Sequence, residues 1–253
     1  MSKDKCALIT GATSGFGLAS ARKLASEGWD LIITGRREER LQKLAKELEG
    51  QVRVFVCVLD VRDNEAVKEM AEKVGSFTRH INLLVNNAGL ALGREPAYEA
   101  KHEDWQTMID TNVTGLVNVT HAILPKLMQS APATIVNLSS VAANWPYPGS
   151  HVYGASKAFV SQFSKNLRCD LAGKGVRVTS LEPGMCETEF SLVRFGGDQQ
   201  AADKVYEGVK AMKAEDIADI IYWIATQPPH ININTIEVMA EQQAWSNFQV
   251  VRG

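Results

Sequence analysis

Short, nearly continuous apolar runs alternate along this chain with segments whose apolar residues recur at helical spacing. Cys6-Ala-Leu-Ile-Thr10 is the first run, and Gly11 ends it. A helical pattern follows from Leu18 to Glu27. Then come a second run, Leu31 to Thr34, and a helix that places Leu41, Leu44, Ala45 and Leu48 on one face. Val52 to Val58 is a third run, closed by Asp60, with a helix around Asn64 to Val74. Ile81 to Val85 precedes Asn86-Asn-Ala-Gly89, and a long helical segment is expected from roughly Asp104 to Gln129. The remaining strands are expected at Ile135 to Leu138, Val176 to Leu181 and Thr235 to Met239. Strands that are apolar throughout, each followed by a helix, specify a parallel sheet of about seven strands covered on both faces. No linker, repeat or low-complexity run interrupts the pattern. One α/β domain over residues 1–253 is expected, with a first half of about 1–130 and a second of about 131–253.

Composition narrows the partners. Hydrophobic residues make up 45% of the 253, enough for a large core. Lys plus Arg is 27 against 29 for Asp plus Glu, so neither a nucleic acid nor a membrane surface is expected as a partner. Cys6, Cys57, Cys169 and Cys186 lack metal-ligand spacing, and Cys6 and Cys57 lie in strand runs. Buried reduced thiols in a cytoplasmic protein are therefore expected. His80, His102, His121, His151 and His230 have no mutual ligand spacing, so no metal is expected. The first residues show no signal-peptide pattern, and no apolar run reaches about 18 residues.

Three stretches carry chemistry. In Thr10-Gly-Ala-Thr-Ser-Gly-Phe-Gly17, Gly11, Gly15 and Gly17 lie between a strand and a helix, where the backbone can approach a diphosphate at the helix N-terminus. The spacing is GxxxGxG rather than GxGxxG, and such turns also occur without a ligand. The second strand ends Thr34-Gly-Arg-Arg37 with no acid at its tip. Two guanidiniums suit a 2′-phosphate, so NADP is preferred over NAD, although either arginine could be a solvated helix-start charge. Tyr153 and Lys157 fall on one helix face at i and i+4. An ammonium beside a phenol is expected to lower its pKa from about 10 towards the range of a general acid or base. Ser140, thirteen residues upstream, could hold a substrate oxygen near that phenol.

Gly11-x-x-x-Gly15-x-Gly17, Asn86-Asn-Ala-Gly89, Asn112, Ser140, Tyr153-x-x-x-Lys157 and Pro183-Gly184 occur together and in order. As a set they resemble the short-chain dehydrogenase/reductase family over essentially the whole chain. The resemblance implies a Rossmann fold, an NADP-dependent oxidoreductase and a homotetramer. More narrowly, Gly35-Arg-Arg-Glu-Glu-Arg-Leu41, Asn87 to Gly93, Trp145-Pro-Tyr147 and Thr188 to Phe195 are similar to the bacterial serine/L-allo-threonine (3-hydroxy acid, 3-hydroxypropionate) dehydrogenases of that family. By this resemblance Tyr153 is the acid/base and Lys157 lowers its pKa and holds the nicotinamide ribose. Ser140 bonds the substrate carbonyl, and Asn112 supports a proton path to Lys157. Thr13, Ser14 and Phe16 join the glycines of the phosphate turn. Asp60 and Val61 would meet the adenine, Asn87, Ala88 and Gly89 would pass beneath the cofactor, and Pro183, Gly184 and Thr188 would grip its nicotinamide end.

The substrate end is read from fewer residues. Arg194 is expected to pair with a substrate carboxylate, the alternative being a surface arginine. Trp145 and Tyr147 either shape the pocket or pack a loop. Glu182 is expected to face solvent, with a substrate ammonium as the alternative. The leading activity is interconversion of a 3-hydroxy acid and its 3-oxo acid or semialdehyde. A broad carbonyl reductase of neutral ketones and a non-catalytic NADP(H) sensor stand as alternatives. Leu116, Val119, Ile123 and Leu127 fit either a subunit interface or the core. The tail from Gln242 to Gly253, with Trp245 and Phe248, is expected to cover a neighbouring subunit.

Overall fold

The apolar runs become strands buried on both faces, and the periodic segments become the helices that cover them. In chain order the elements begin β1 (Cys6–Ile9), α1 (Gly15–Ser26), β2 (Asp30–Gly35), α2 (Glu38–Glu47), β3 (Val54–Val58) and α3 (Asn64–Phe77). They continue with β4 (Leu83–Asn86), α4 (His102–Ile109), α5 (Gly115–Gln129), β5 (Ala133–Leu138), α6 (His151–Asp170) and β6 (Val176–Pro183). The last are β7 (Cys186–Glu187), α7 (Glu189–Arg194), α8 (Gln199–Lys204), β8 (Met212–Lys213), α9 (Ala214–Thr226) and β9 (Thr235–Val238). This computed structural model describes residues 5–245, so Phe248 and the end of the tail lie outside the described residues.

Seven strands form a parallel sheet in the order β3-β2-β1-β4-β5-β6-β9, while β7 and β8 make a separate pair. The chain runs outward from β1 to β3 and then crosses to β4 on the other side of β1. That reversal opens a crevice at the carboxyl ends of β1 and β4, where sheets of this kind bind ligands. One core cluster joins α1, α2 and α9 to one face, around Ile9, Ile33 and Val85. Leu8, Ile32, Leu84 and Ile135 build the other beneath α3 and α5. Val119, Ile123 and Leu127 belong to this second cluster, so core packing accounts for them. Each such side chain contributes about 1.5–3 kcal/mol by leaving water.

The long helical segment is continuous, with a π-helical turn, Asp110–Thr114, between α4 and α5. Two expectations are corrected here. The third strand begins at Val54 and lies at the sheet edge, where its residues are only half-buried and Val58 is exposed. Cys57 is accordingly half-buried and Cys169 exposed, so only Cys6 and Cys186 are buried thiols. Among the described residues no helix is long and apolar enough to cross a membrane, and no group of three or more potential metal ligands occurs.

Candidate active site

The turn after β1 is shaped by contacts that only glycine permits. Gly11 and Gly15 have φ of 66° and 51°, in the left-handed region. A Cβ at Gly17 would overlap the Gly11 carbonyl and the Asn87 amide nitrogen. Gly17 thus packs α1 against the turn and does not line the cavity described next. Asn87 ties the two strand ends together: its Nδ2 donates to Thr10 O at 2.8 Å and to Gly11 O at 3.1 Å. α1 has neither a side-chain cap nor an acid in its first turn, which leaves its first amides uncommitted.

A cavity of about 280 Å³ opens at this turn. Gly11, Thr13, Ser14, Gly15 and Phe16 form its floor, Arg36, Arg37, Asp60 and Val61 one end, and Asn87, Ala88 and Gly89 its side. Tyr153, Lys157 and Thr188 close the other end. A second cavity, of about 510 Å³, is lined by Ser140, Tyr147, Pro183, Gly184, Thr188, Arg194 and Gln243. Tyr153, Ser139, Phe16, Thr188 and Phe190 belong to both walls. Tyr153 therefore stands where the two spaces meet. Pro183 and Gly184 lie on the second cavity and not, as expected, on the first.

Around the phenol, burial decides the electrostatics. The Tyr153 pKa is raised well above its usual value by burial, against the lowering effects of a hydrogen bond with Ser140 and the charge of Arg194. Burial pushes Lys157 down to about 8. The expected ammonium-driven lowering of the phenol is thus corrected. Lys157 Nζ lies 5.8 Å from the Tyr153 ring centroid and donates to Leu138 O at 2.7 Å. Asn112, only 2% exposed, occupies the π-helical turn, a local widening often found at functional sites. Its Oδ1 accepts from Leu90 N at 2.8 Å, and its Nδ2 donates to Leu90 O at 2.8 Å and Ser156 Oγ at 3.0 Å. A Cβ on Gly89 would sit 3.1 Å from Asn112 Oδ1 and 3.4 Å from Lys157 Nζ, so Gly89 keeps the wall thin between the cavity and these groups.

At the far end, Arg37 donates to Thr13 Oγ1 at 2.7 Å and Ser14 Oγ at 2.7 Å. It also pairs with Glu189 at 3.2 Å, and Arg40 joins the same carboxylate at 2.8 Å. Burial alone would raise the Glu189 pKa, but hydrogen bonds from Arg40 and Arg37 outweigh it and hold the carboxyl low. Arg36 is exposed on the cavity rim. Asp60 accepts from Arg62, which lowers its pKa.

On the second cavity, Arg194 Nε donates to Gly93 O at 3.2 Å and its Nη1 to the Tyr147 hydroxyl at 3.0 Å. These bonds aim the guanidinium at the Tyr153 ring, 5.8 Å away. Trp145 stands elsewhere: it is 41% exposed, donates to Glu237 at 2.7 Å, packs on Trp245 and lines neither cavity. Its placement on the pocket wall is therefore corrected. So is the solvent-facing Glu182, which is 1% exposed. Its carboxylate accepts from Ser161 at 2.7 Å, Ser180 at 2.9 Å and Asn144 at 2.7 Å. Arg40, Glu189 and Gln243 escaped the sequence reading. Glu189 had one usable signal, its place directly after Thr188, whereas nothing local marks Arg40 or Gln243.

The geometry agrees with what the chain is similar to. The short chain dehydrogenase family model matches residues 5–195. Sulfoacetaldehyde reductase 2 of Chromohalobacter salexigens is 61% identical over 246 residues, 97% of this chain and 98% of that protein. Serine 3-dehydrogenase of Agrobacterium fabrum is 56% identical over 245 residues, 97% of each chain. A solved structure described as the closed form of serine dehydrogenase complexed with NADP+ superposes with a TM-score of 0.95 at 48% identity, over 98% of this chain and all of that one.

Proposed function

Because the chain belongs to the short chain dehydrogenase family, we propose that it is an NADP-dependent oxidoreductase that interconverts a short 3-hydroxy acid, or an equivalent with another anionic group, and its carbonyl form. The observation that carries this is Tyr153 on the wall shared by two cavities, with Lys157 on one side and Ser140 and Arg194 on the other. Relatives named for sulfoacetaldehyde and for serine are similarly close.

The first cavity fits NADP. Its glycine turn and the uncommitted amides of α1 suit the diphosphate, and Arg36 and Arg37 suit a 2′-phosphate. Thr111 Oγ1 is buried on the same wall without a hydrogen-bond partner among the described residues, a polar atom that a ligand can satisfy. Asp60 and Val61 flank the adenine end, Asn87, Ala88 and Gly89 form the side, and Thr188 stands at the nicotinamide end. When bound, NADP(H) accepts or supplies the hydride.

The chain's own residues handle the oxygen and the proton. The raised pKa keeps Tyr153 protonated near neutral pH, which suits it to give its proton to the carbonyl oxygen in reduction. Ser140 holds that oxygen beside the phenol. Lys157, held by Leu138 O, and Asn112 behind Gly89 lie along the path by which a proton returns. Arg194, preset by Gly93, Tyr147 and a long contact to Gly149 O at 3.5 Å, has one further N–H on each terminal nitrogen for a contact with the substrate anion. The cofactor half then covers about residues 1–130 and the catalytic half 131–253. A cytoplasmic homotetramer belongs to the same reading. It is supported by free cysteines and by the exposed Met128 on α5 and Phe159 on α6, which a helix-to-helix interface would cover.

A panel of hydroxy acids and their methyl esters, assayed with NADP and with NAD, tests the proposal. The acids with NADP should give the higher kcat/KM, and Arg194→Ala should remove the difference between acid and ester. Equal turnover of ester and acid by the unaltered enzyme would instead favour a broad carbonyl reductase.

A further inference from the structure

The second cavity has a one-sided charge. Arg94, Arg194 and Lys204 line it, and among the described residues no aspartate or glutamate does. Several acids close in sequence to its walls are turned elsewhere, Asp203 among them, which accepts from Gln199 and lines a different cavity. Glu182 is buried and saturated by Ser161, Ser180 and Asn144. Glu189 holds Arg37 and Arg40. The Glu95 carboxylate accepts from the Arg94 amide at 2.9 Å, and Glu187 lines a different cavity. Glu237 accepts from both Trp145 and Trp245. Residues 246–253 contain no acid.

An anion placed against Arg194 gains from this field. An ammonium on the carbon between that anion and the reacting hydroxyl would be desolvated among cations, with no carboxylate to pair with. At separations of a few ångströms, that repulsion discriminates by about tenfold or more. From this we infer that the substrate carries an anionic group and no ammonium: a short hydroxyalkyl carboxylate or sulfonate and the matching aldehyde, in place of an amino acid such as serine. This inference rests on the function proposed above and names its substrate class. Oxidation removes a hydride from the carbinol carbon to NADP, and Tyr153 takes the hydroxyl proton as it passes its own proton out along the path beside Lys157, so the balance is that of the proposed reaction.

The test is kcat/KM with NADP for 3-hydroxypropionate, 2-hydroxyethanesulfonate, L-serine and L-allo-threonine near neutral pH. At least one of the two simple anions should exceed both amino acids by about tenfold or more. The ratio between the first two tells whether the anion is a carboxylate or a sulfonate, and either preference supports the inference. The exposed Lys204, replaced in Lys204→Glu, should raise the efficiency with serine relative to 3-hydroxypropionate several-fold by supplying the missing negative charge. Serine turned over as well as the simple anions, or a ratio unmoved by Lys204→Glu, overturns this inference alone. An enzyme that oxidises none of the four refutes the proposed function and this inference with it.

Discussion

Lys157→Met exposes the energetic cost of the buried ammonium. Burial lowers the Lys157 pKa from 10.5 to about 8. A folded pKa below the unfolded one means that the unfolded chain binds more protons between these two values. Stability from this group therefore rises with pH across that window, and below about 8 the folded state carries the full penalty. The whole shift corresponds to about 3 kcal/mol, of which about 2 kcal/mol is recovered between roughly pH 7 and pH 9.5. The substitution also leaves Leu138 O without its donor, a loss that is large but nearly independent of pH. Tyr153 and the buried Cys6 and Cys186 shift the other way and erode stability at high pH in both proteins. The informative quantity is thus the difference between the parent protein and the variant. Urea unfolding of the cofactor-free proteins at both pH values should show the parent gaining about 2 kcal/mol on Lys157→Met. A difference that stays constant with pH would mean that the ammonium is not penalised by burial, and would refute the electrostatic account of the site.

Gly17→Ala should press a methyl into the Gly11 carbonyl and the Asn87 amide. A loss of about 1–3 kcal/mol in thermal unfolding and weakened NADP binding are expected, and an unchanged melting temperature would show that the turn can open. Glu189→Gln should release Arg37 and Arg40 for a 2′-phosphate. Titration should then give NADP binding up to about fivefold tighter with NAD unaffected, the ceiling set by the small worth of exposed ion pairs. Glu182→Ala strands the Ser161, Ser180 and Asn144 donors and should cost at least about 2 kcal/mol in denaturant unfolding. A neutral result there would mean that water replaces the carboxylate.

The parts of this molecule that follow local rules were readable from the chain. The apolar runs announced the strands, the glycine spacing announced the turn after β1, and the i, i+4 spacing put Tyr153 and Lys157 on one face. What escaped depended on distant segments meeting. Glu182 looked like a solvent-facing strand end because its three donors arrive from α6, from its own strand and from the turn after β5. Trp145 lay beside the site motifs, yet its indole N–H found Glu237 on β9 and carried the ring out of the pocket. β3 reads as a buried strand until the strand order puts it at the edge. The phenol is the sharpest case. Sequence spacing exposes the neighbouring charge, but desolvation, the stronger influence, exists only after the core has closed.

Tyr153→Phe tests the central claim most directly, because it deletes one oxygen at the junction of the two cavities and leaves the ring contact with Phe190 in place. NADP titration and kcat/KM on 3-hydroxypropionate should be measured on the same preparations. Unchanged cofactor binding with turnover reduced by about 10²–10⁴-fold is the predicted result. Turnover within a few-fold of the parent would contradict the account, since the proton would then be moving through a group other than the phenol.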